Sequence, residues 1–145
     1  MALVVGANSW ASVAEADTYL ADRIDAEAWF LLADTAAAGV RAKESLLVSA
    51  FHWLYGSPQL SIAGSSTDDD VKNAQIEAAW FLQEYYEEMK DRRAAISTGV
   101  TSLRMSRRAE NLSAGNLTIP PHILGMLSTY QQSNLTADLK GEYDA

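Results

Sequence analysis

The chain has 145 residues, 48 % of them hydrophobic, with four tryptophans and no cysteine. That length suits one domain with a real core, the composition argues against disorder, and the absence of thiols excludes a disulfide framework, a cysteine nucleophile and a cysteine-ligated zinc. A formal net charge of −8 argues against tight binding along a phosphate backbone, because nucleic-acid-binding domains carry a basic footprint.

Residues 1–11, with Gly6, Asn8 and Ser9, read as an extended lead-in. Ser12 and Glu15 have the spacing of a capping box, and Val13, Ala16, Leu20 and Ile24 mark the buried face of a first helix over about 12–24. Asp25 is placed to cap a short second helix through Ala33, with Trp29, Phe30 and Leu32 supplying bulk. A third helix is predicted from Ala36 or Arg41 to Tyr55, with its face built from Leu47, Ala50, Phe51 and Leu54. Gly56 and Pro58 end it. The stretch SPQLSIAGSS then reads as a loop.

The longest element is predicted over Thr67 to Arg93, with Thr67 as N-cap. Asp68, Asp69 and Asp70 suit the positive end of its dipole, and Lys90, Arg92 and Arg93 the negative end. Val71, Ala74, Ala78, Leu82, Tyr85 and Met89 recur at steps of three and four and make one apolar face. Trp80, Phe81 and Tyr86 widen it. At 1.5 Å per residue this helix runs roughly 40 Å, the spine of a helical domain.

Beyond Gly99 the pattern changes. Val100, Leu103 and Met105 alternate with polar residues, and Asn111 to Ile119 is the expected partner in a hairpin, with Arg107 to Glu110 near its tip. Pro120 and Pro121 suit the first turn of a closing helix, whose apolar side is Ile123, Leu124, Leu127 and Tyr130. Residues 131–145 are polar and acidic, with Leu135, Leu139 and Tyr143 four apart, and read as a tail or an arm that orders on a partner. The fold class is therefore mainly α: a small helical bundle around one long central helix, with a β-hairpin or extended loop inserted at about 97–118. Residues 1–130 form one domain and 131–145 a C-terminal arm. No run of about 18 apolar residues marks a membrane span, and MALVVGANSW lacks the basic and apolar regions of a secretory signal.

Candidate chemistry is sparse. The Asp68–Asp70 run lacks the alternating ligands and glycine of a calcium loop, and a helix start accounts for it. His52 and His122 have no partner at ligand spacing, and no Ser-His-Asp order is supported. Glu84, Glu87 and Glu88 fit a solvated helix face better than a general acid and base. Trp80, Phe81, Tyr85 and Tyr86 suit a core better than a base-stacking platform. No cofactor, metal or catalytic residue is expected. Charge is uneven: residues 1–89 carry 14 acids and four bases, whereas residues 90–108 carry six bases and one acid. That basic segment either faces an acidic partner or a DNA lumen, or it caps a helix and keeps a hairpin unpaired.

Several blocks in this order resemble a family. GANSWASVAEADTYL at 6–20, KESLLVSAFHWLYG at 43–56, VKNAQIEAAWFL at 71–82 and TIPPHILGMLSTY at 118–130 resemble segments of head-to-tail adaptor (connector) proteins of tailed phages and prophages. Part of that group carries a provisional label as DnaT-like single-strand DNA-binding proteins. The Trp-Pro-Arg-type loop often found between the second and third blocks is missing here.

The resemblance implies a non-enzymatic virion protein at the head–tail junction, assembled in the bacterial cytoplasm. Copies of it form a ring, usually of twelve, beneath the portal protein. The ring extends the DNA channel and offers a docking surface to a tail or neck protein, while DNA passes without sequence-specific binding. No membrane is involved. The expected partner contacts are Arg104, Arg107 and Arg108 in the 97–115 segment and Leu135, Leu139 and Tyr143 in the arm. The alternative is a single-stranded DNA-binding or helicase-loading module.

Overall fold

A computed structural model describes residues 2–97, 102–105, 108–111 and 119–132. The protein is mainly helical: α1 (Val13–Leu20), α2 (Glu27–Phe30), α3 (Lys43–Tyr55), α4 (Asp69–Ser97), the hairpin β1 (Ser102–Met105) and β2 (Arg108–Asn111), α5 (Pro121–Met126), and a final 3-10 turn, Ser128–Tyr130. The largest helix contact is between α3 and α4, and α1, α2 and α5 also pack on α4.

Helix α1 starts as expected. Ser12 accepts from the Glu15 amide and Glu15 accepts from the Ser12 amide, each at 3.1 Å. It ends a turn earlier than its periodicity suggests, at Leu20, so Ile24 is 86 % exposed instead of buried. Asp25 does not cap α2. It takes a left-handed backbone with φ 69°, which a short polar side chain tolerates better than a bulky one, and Ala26 occupies the cap position without a side-chain bond.

Helix α3 begins at Lys43, after Gly39 has turned the chain with φ 80°. Leu47, Ala50, Phe51 and Leu54 are all buried, as the spacing predicts. At its end Gly56 meets a steric limit: a Cβ there would lie 2.9 Å from the His52 carbonyl oxygen.

The cap of α4 is Asp68, one residue later than Thr67. Its carboxylate accepts from the Asp70 amide at 3.0 Å and also from the Tyr130 hydroxyl. Val71, Ala74, Ala78, Leu82 and Met89 are buried. Tyr85 departs from that face. It has non-helical φ/ψ (−116°, 16°), kinks the helix and leaves its ring 41 % exposed. Near the kink, Arg41 makes a long 3.5 Å contact to the Gln83 carbonyl, and a side chain that competes for a mid-helix carbonyl is a known source of bending. Because α4 continues to Ser97, Lys90, Arg92 and Arg93 precede its last turn, so the dipole does not explain them.

The hairpin is antiparallel, pairing Ser102 with Asn111 and Met105 with Arg108. Its second strand therefore starts at Arg108, where the tip was expected. Ile119, expected to end that strand, is fully buried in the core ahead of Pro120. The closing helix has Pro121 in its first turn, with Ile123 and Leu127 buried. The chain stays tied to the body through Gln132: Gln131 bridges Leu60, and the Gln132 amide donates to the Gln59 carbonyl at 2.8 Å.

One polar residue joins three parts of this core. Gln75 of α4 is fully buried. Its Oε1 accepts from the amides of Trp10 and Ala11 at 2.9 and 2.8 Å. Its Nε2 donates to Ser9 Oγ and to the Leu47 carbonyl, both at 2.7 Å. Each donor and acceptor of the amide is used, which is the condition for burying it without penalty. Replacing it by an apolar residue strands two buried amides, so Gln75→Leu is expected to cost about 3 kcal/mol. Urea unfolding checks this, and a loss under about 1 kcal/mol would show that the lead-in is held by something else.

Acid should weaken the helix starts. The Lys72 ammonium, 2.9 Å away, and the Ser12 contacts hold the Glu15 carboxyl below its ordinary range, against a smaller opposing effect of burial. The Tyr130 hydroxyl and the Asp70 amide do the same for Asp68. A carboxyl lowered by folding adds stability above its unfolded value, about 4. That contribution is lost as pH falls through the folded value. Glu15→Gln should therefore shrink the stability drop between about pH 6 and about pH 3, and an unchanged drop would assign the acid sensitivity to other carboxylates.

Candidate functional site

The buried ion pairs of the fold join its elements. Glu77 of α4 is only 6 % exposed and meets Arg23 at 2.8 Å and the Tyr19 hydroxyl at 3.2 Å. Arg23 also donates to that hydroxyl at 2.6 Å and lies over the Tyr19 ring. Burial and the neighbouring Glu77 carboxylate raise the Tyr19 phenol above its ordinary value. Lys43, at the start of α3, is 7 % exposed and reaches Asp17 at 3.1 Å and Asp34 at 3.4 Å, with the Phe30 ring 5.4 Å away. Asp17 takes a second bond from Trp29 Nε1 at 2.9 Å. Buried charges persist when paired in this way. These clusters fasten α1 to α4 and the α1–α3 connection to α3.

The sequence-derived candidates fall in different places. Asp68 is spent on its cap and on Tyr130. His52 and His122 are exposed. Glu84 and Glu87 are exposed, as a solvated face requires, and Glu87 lies 3.7 Å from Arg41, whereas Glu88, expected on the same face, is half-buried. Among the described residues no group of three or more His, Asp or Glu is placed to hold a metal ion, and no helix is long and apolar enough to cross a membrane. Arg104 lies on β1 opposite Ala109, and Arg108 on β2 opposite Met105. Arg107, Leu135, Leu139 and Tyr143 lie outside the described residues.

Two surface features were not legible in the sequence. The first is apolar exposure on the α1–α3 connection, where Ile24 and Leu31 are each 86 % exposed and Phe30 is 43 % exposed. Burying such side chains against a partner is favourable by about 1.5–3 kcal/mol each. The second is a groove of about 410 Å³ between the start of α3 and the second half of α4. Trp53, Tyr86 and Met89 give it an apolar lining, and Arg41, Lys90 and Arg93 give it positive charge. The Arg41 guanidinium lies 5.0 Å from the Tyr86 ring centre. Trp53 Nε1, on a lining residue, is buried without a hydrogen-bond partner.

No family model matches the chain, and no curated protein or solved structure matches it.

The geometry makes Ile24 and Leu31 removable without damage to the core. Ile24→Asp with Leu31→Asp should change unfolding free energy by less than about 0.5 kcal/mol, the usual range for exposed positions. A larger loss in urea unfolding would show that these side chains stabilise the body itself.

Proposed function

We propose that the protein is a structural, non-enzymatic head-to-tail adaptor of a tailed phage or prophage. It forms a ring beneath the portal, extends the DNA channel and gives a tail or neck protein a surface to dock on. The observation that carries the reading is the apolar exposure at Ile24 and Leu31 on a body whose buried ion pairs and buried Gln75 join its elements. A head-to-tail ring needs one face of each subunit to bury side chains against an unlike face of the next. The blocks behind the family resemblance also fall at structurally meaningful points: the capped start of α1, the Tyr55–Gly56 end of α3, Val71 in the first turn of α4 and the proline start of α5. An acidic body suits a conduit, since a wall that bound phosphates tightly would hold DNA instead of passing it.

Protein mass spectrometry of purified particles tests this directly. The expected result is about one copy per portal subunit, the ratio a closed ring stacked on a portal requires. Absence from the particle would overturn it. The arm gives a second test. Because Gln132, the last described residue, is tied to the body, a chain lacking 133–145 should remain folded yet fail to join portal-bearing heads. Normal incorporation would remove the arm from the contact.

A single-strand DNA-binding or helicase-loading module is the alternative, favoured by the exposed rings of Tyr85 and Tyr86 close in sequence to Lys90. Salt-dependent binding of an oligonucleotide at about 50 mM salt separates the two readings.

A further inference from the structure

We infer that copies of this chain join by seating the α1–α3 connection of one copy in the groove between α3 and α4 of the next. The inference rests on the ring reading and names the two faces that meet. On the first face Ile24 and Leu31 stand in solvent and Phe30 is partly exposed. Three exposed acids, Asp22, Asp25 and Glu27, lie among them in the chain. The Leu31 amide donates to the Glu27 carbonyl at 3.1 Å. Residues one helical turn apart share a side, so a carboxylate and an apolar side chain are presented together.

The second face is also apolar but carries the opposite charge. Trp53, Tyr86 and Met89 line the groove, and Arg41 and Lys90 bring positive charge to it. Glu87 meets Arg41 at 3.7 Å, with the two side chains 75 % and 37 % exposed. An exposed pair of that length is weak, so an incoming carboxylate can take its place. The two faces lie on different sides of α4. Arg23, the neighbour of Ile24 in the chain, is held by Glu77, whereas Leu82 belongs to the groove. Five helical positions turn through about 140°. Unlike faces on different sides of one subunit make a heterologous contact, which repeats from copy to copy and closes into a ring or continues as a filament. Apolar burial holds the copies together, and the charges select which surfaces meet.

The absence of cysteine permits a clean test on the full chain with two single-cysteine variants. Ala28→Cys marks the first face, where Ala28 is exposed on α2, and Ser49→Cys marks the groove, which the exposed Ser49 lines. The two are mixed at about 1 mM, where even a contact of millimolar dissociation constant is well populated, and oxidised mildly. In the control, Thr18→Cys, exposed on α1, replaces Ser49→Cys. The expected result is a mixed disulfide dimer through positions 28 and 49, formed about tenfold more efficiently than the control dimer, because docking holds the two thiols at a high effective concentration. Glu27→Lys on the first variant or Lys90→Glu on the second should each lower that yield severalfold. Both reversals together should restore most of it, with circular dichroism confirming that the helices persist. Equal yields in the groove pair and the control would overturn the inference. Dimers linked mainly through 28 and 28 or through 49 and 49 would overturn it in favour of like faces meeting. Failure of the paired reversals to restore the yield would remove the charge match on which it stands. Particle composition separates this contact from the ring reading. A correct copy number in particles without the 28–49 link sinks the contact alone, whereas the link in a protein absent from particles upholds the contact and sinks the adaptor.

Discussion

The structure depends on the buried amide of Gln75. A helix packs through its apolar stripe, but a stripe alone fixes neither where a neighbouring strand-like segment lies nor how two helices are set along each other. Gln75 fixes both. Its oxygen holds the two amides that precede α1, and its nitrogen holds a carbonyl in the middle of α3. Ser9 completes the arrangement by accepting from the same nitrogen and donating to the Ala11 carbonyl. Trp10 is thereby pinned between Phe51 of α3 and the loop ahead of α4, where its indole donates to the Ala63 carbonyl. A fully used polar group in a dry core is demanding about geometry, so misplaced alternatives lose several bonds at once.

Around this hub the charged clusters act on the periphery. Arg23 with Glu77 and Lys43 with Asp17 and Asp34 each link residues distant in sequence. They restrain the connection between α1 and α3, which also anchors itself inward through Ala26 and Trp29. The result is a body whose interior is settled while its connection shows Ile24 and Leu31 to solvent.

What was legible in the sequence was local. The Ser12–Glu15 box, the buried face of α3 and the stripe from Val71 to Leu82 depend on residues within a few positions of one another, and all are found. Ile24 misled because its spacing continues the α1 stripe beyond the point where the helix stops. Thr67 and Asp68 are both competent caps, and the Tyr130 hydroxyl, 62 residues away, engages the second. Arg108–Asn111 lacks alternating apolar residues, so nothing in it announced a strand. Gln75 was the most consequential omission: a glutamine in a long helix looks like surface until three distant segments converge on it. The groove was hidden for the same reason, since its two walls lie some 40 residues apart. Of the residues first expected to meet a partner, Arg104 and Arg108 are placed on paired strands, and neither their spacing nor their charge had fixed that register.

The bend at Tyr85 divides α4 into unequal partners. Upstream lie Val71, Ala74, Gln75, Ile76, Ala78, Ala79 and Leu82, all buried, whereas downstream the buried apolar residues among those described are Met89 and Ala95. The first length thus buries more of the described apolar side chains than the second, and the hairpin follows the second in the chain. A change of backbone angles at Tyr85 alone would re-aim the second length while the packing of the first stays in place.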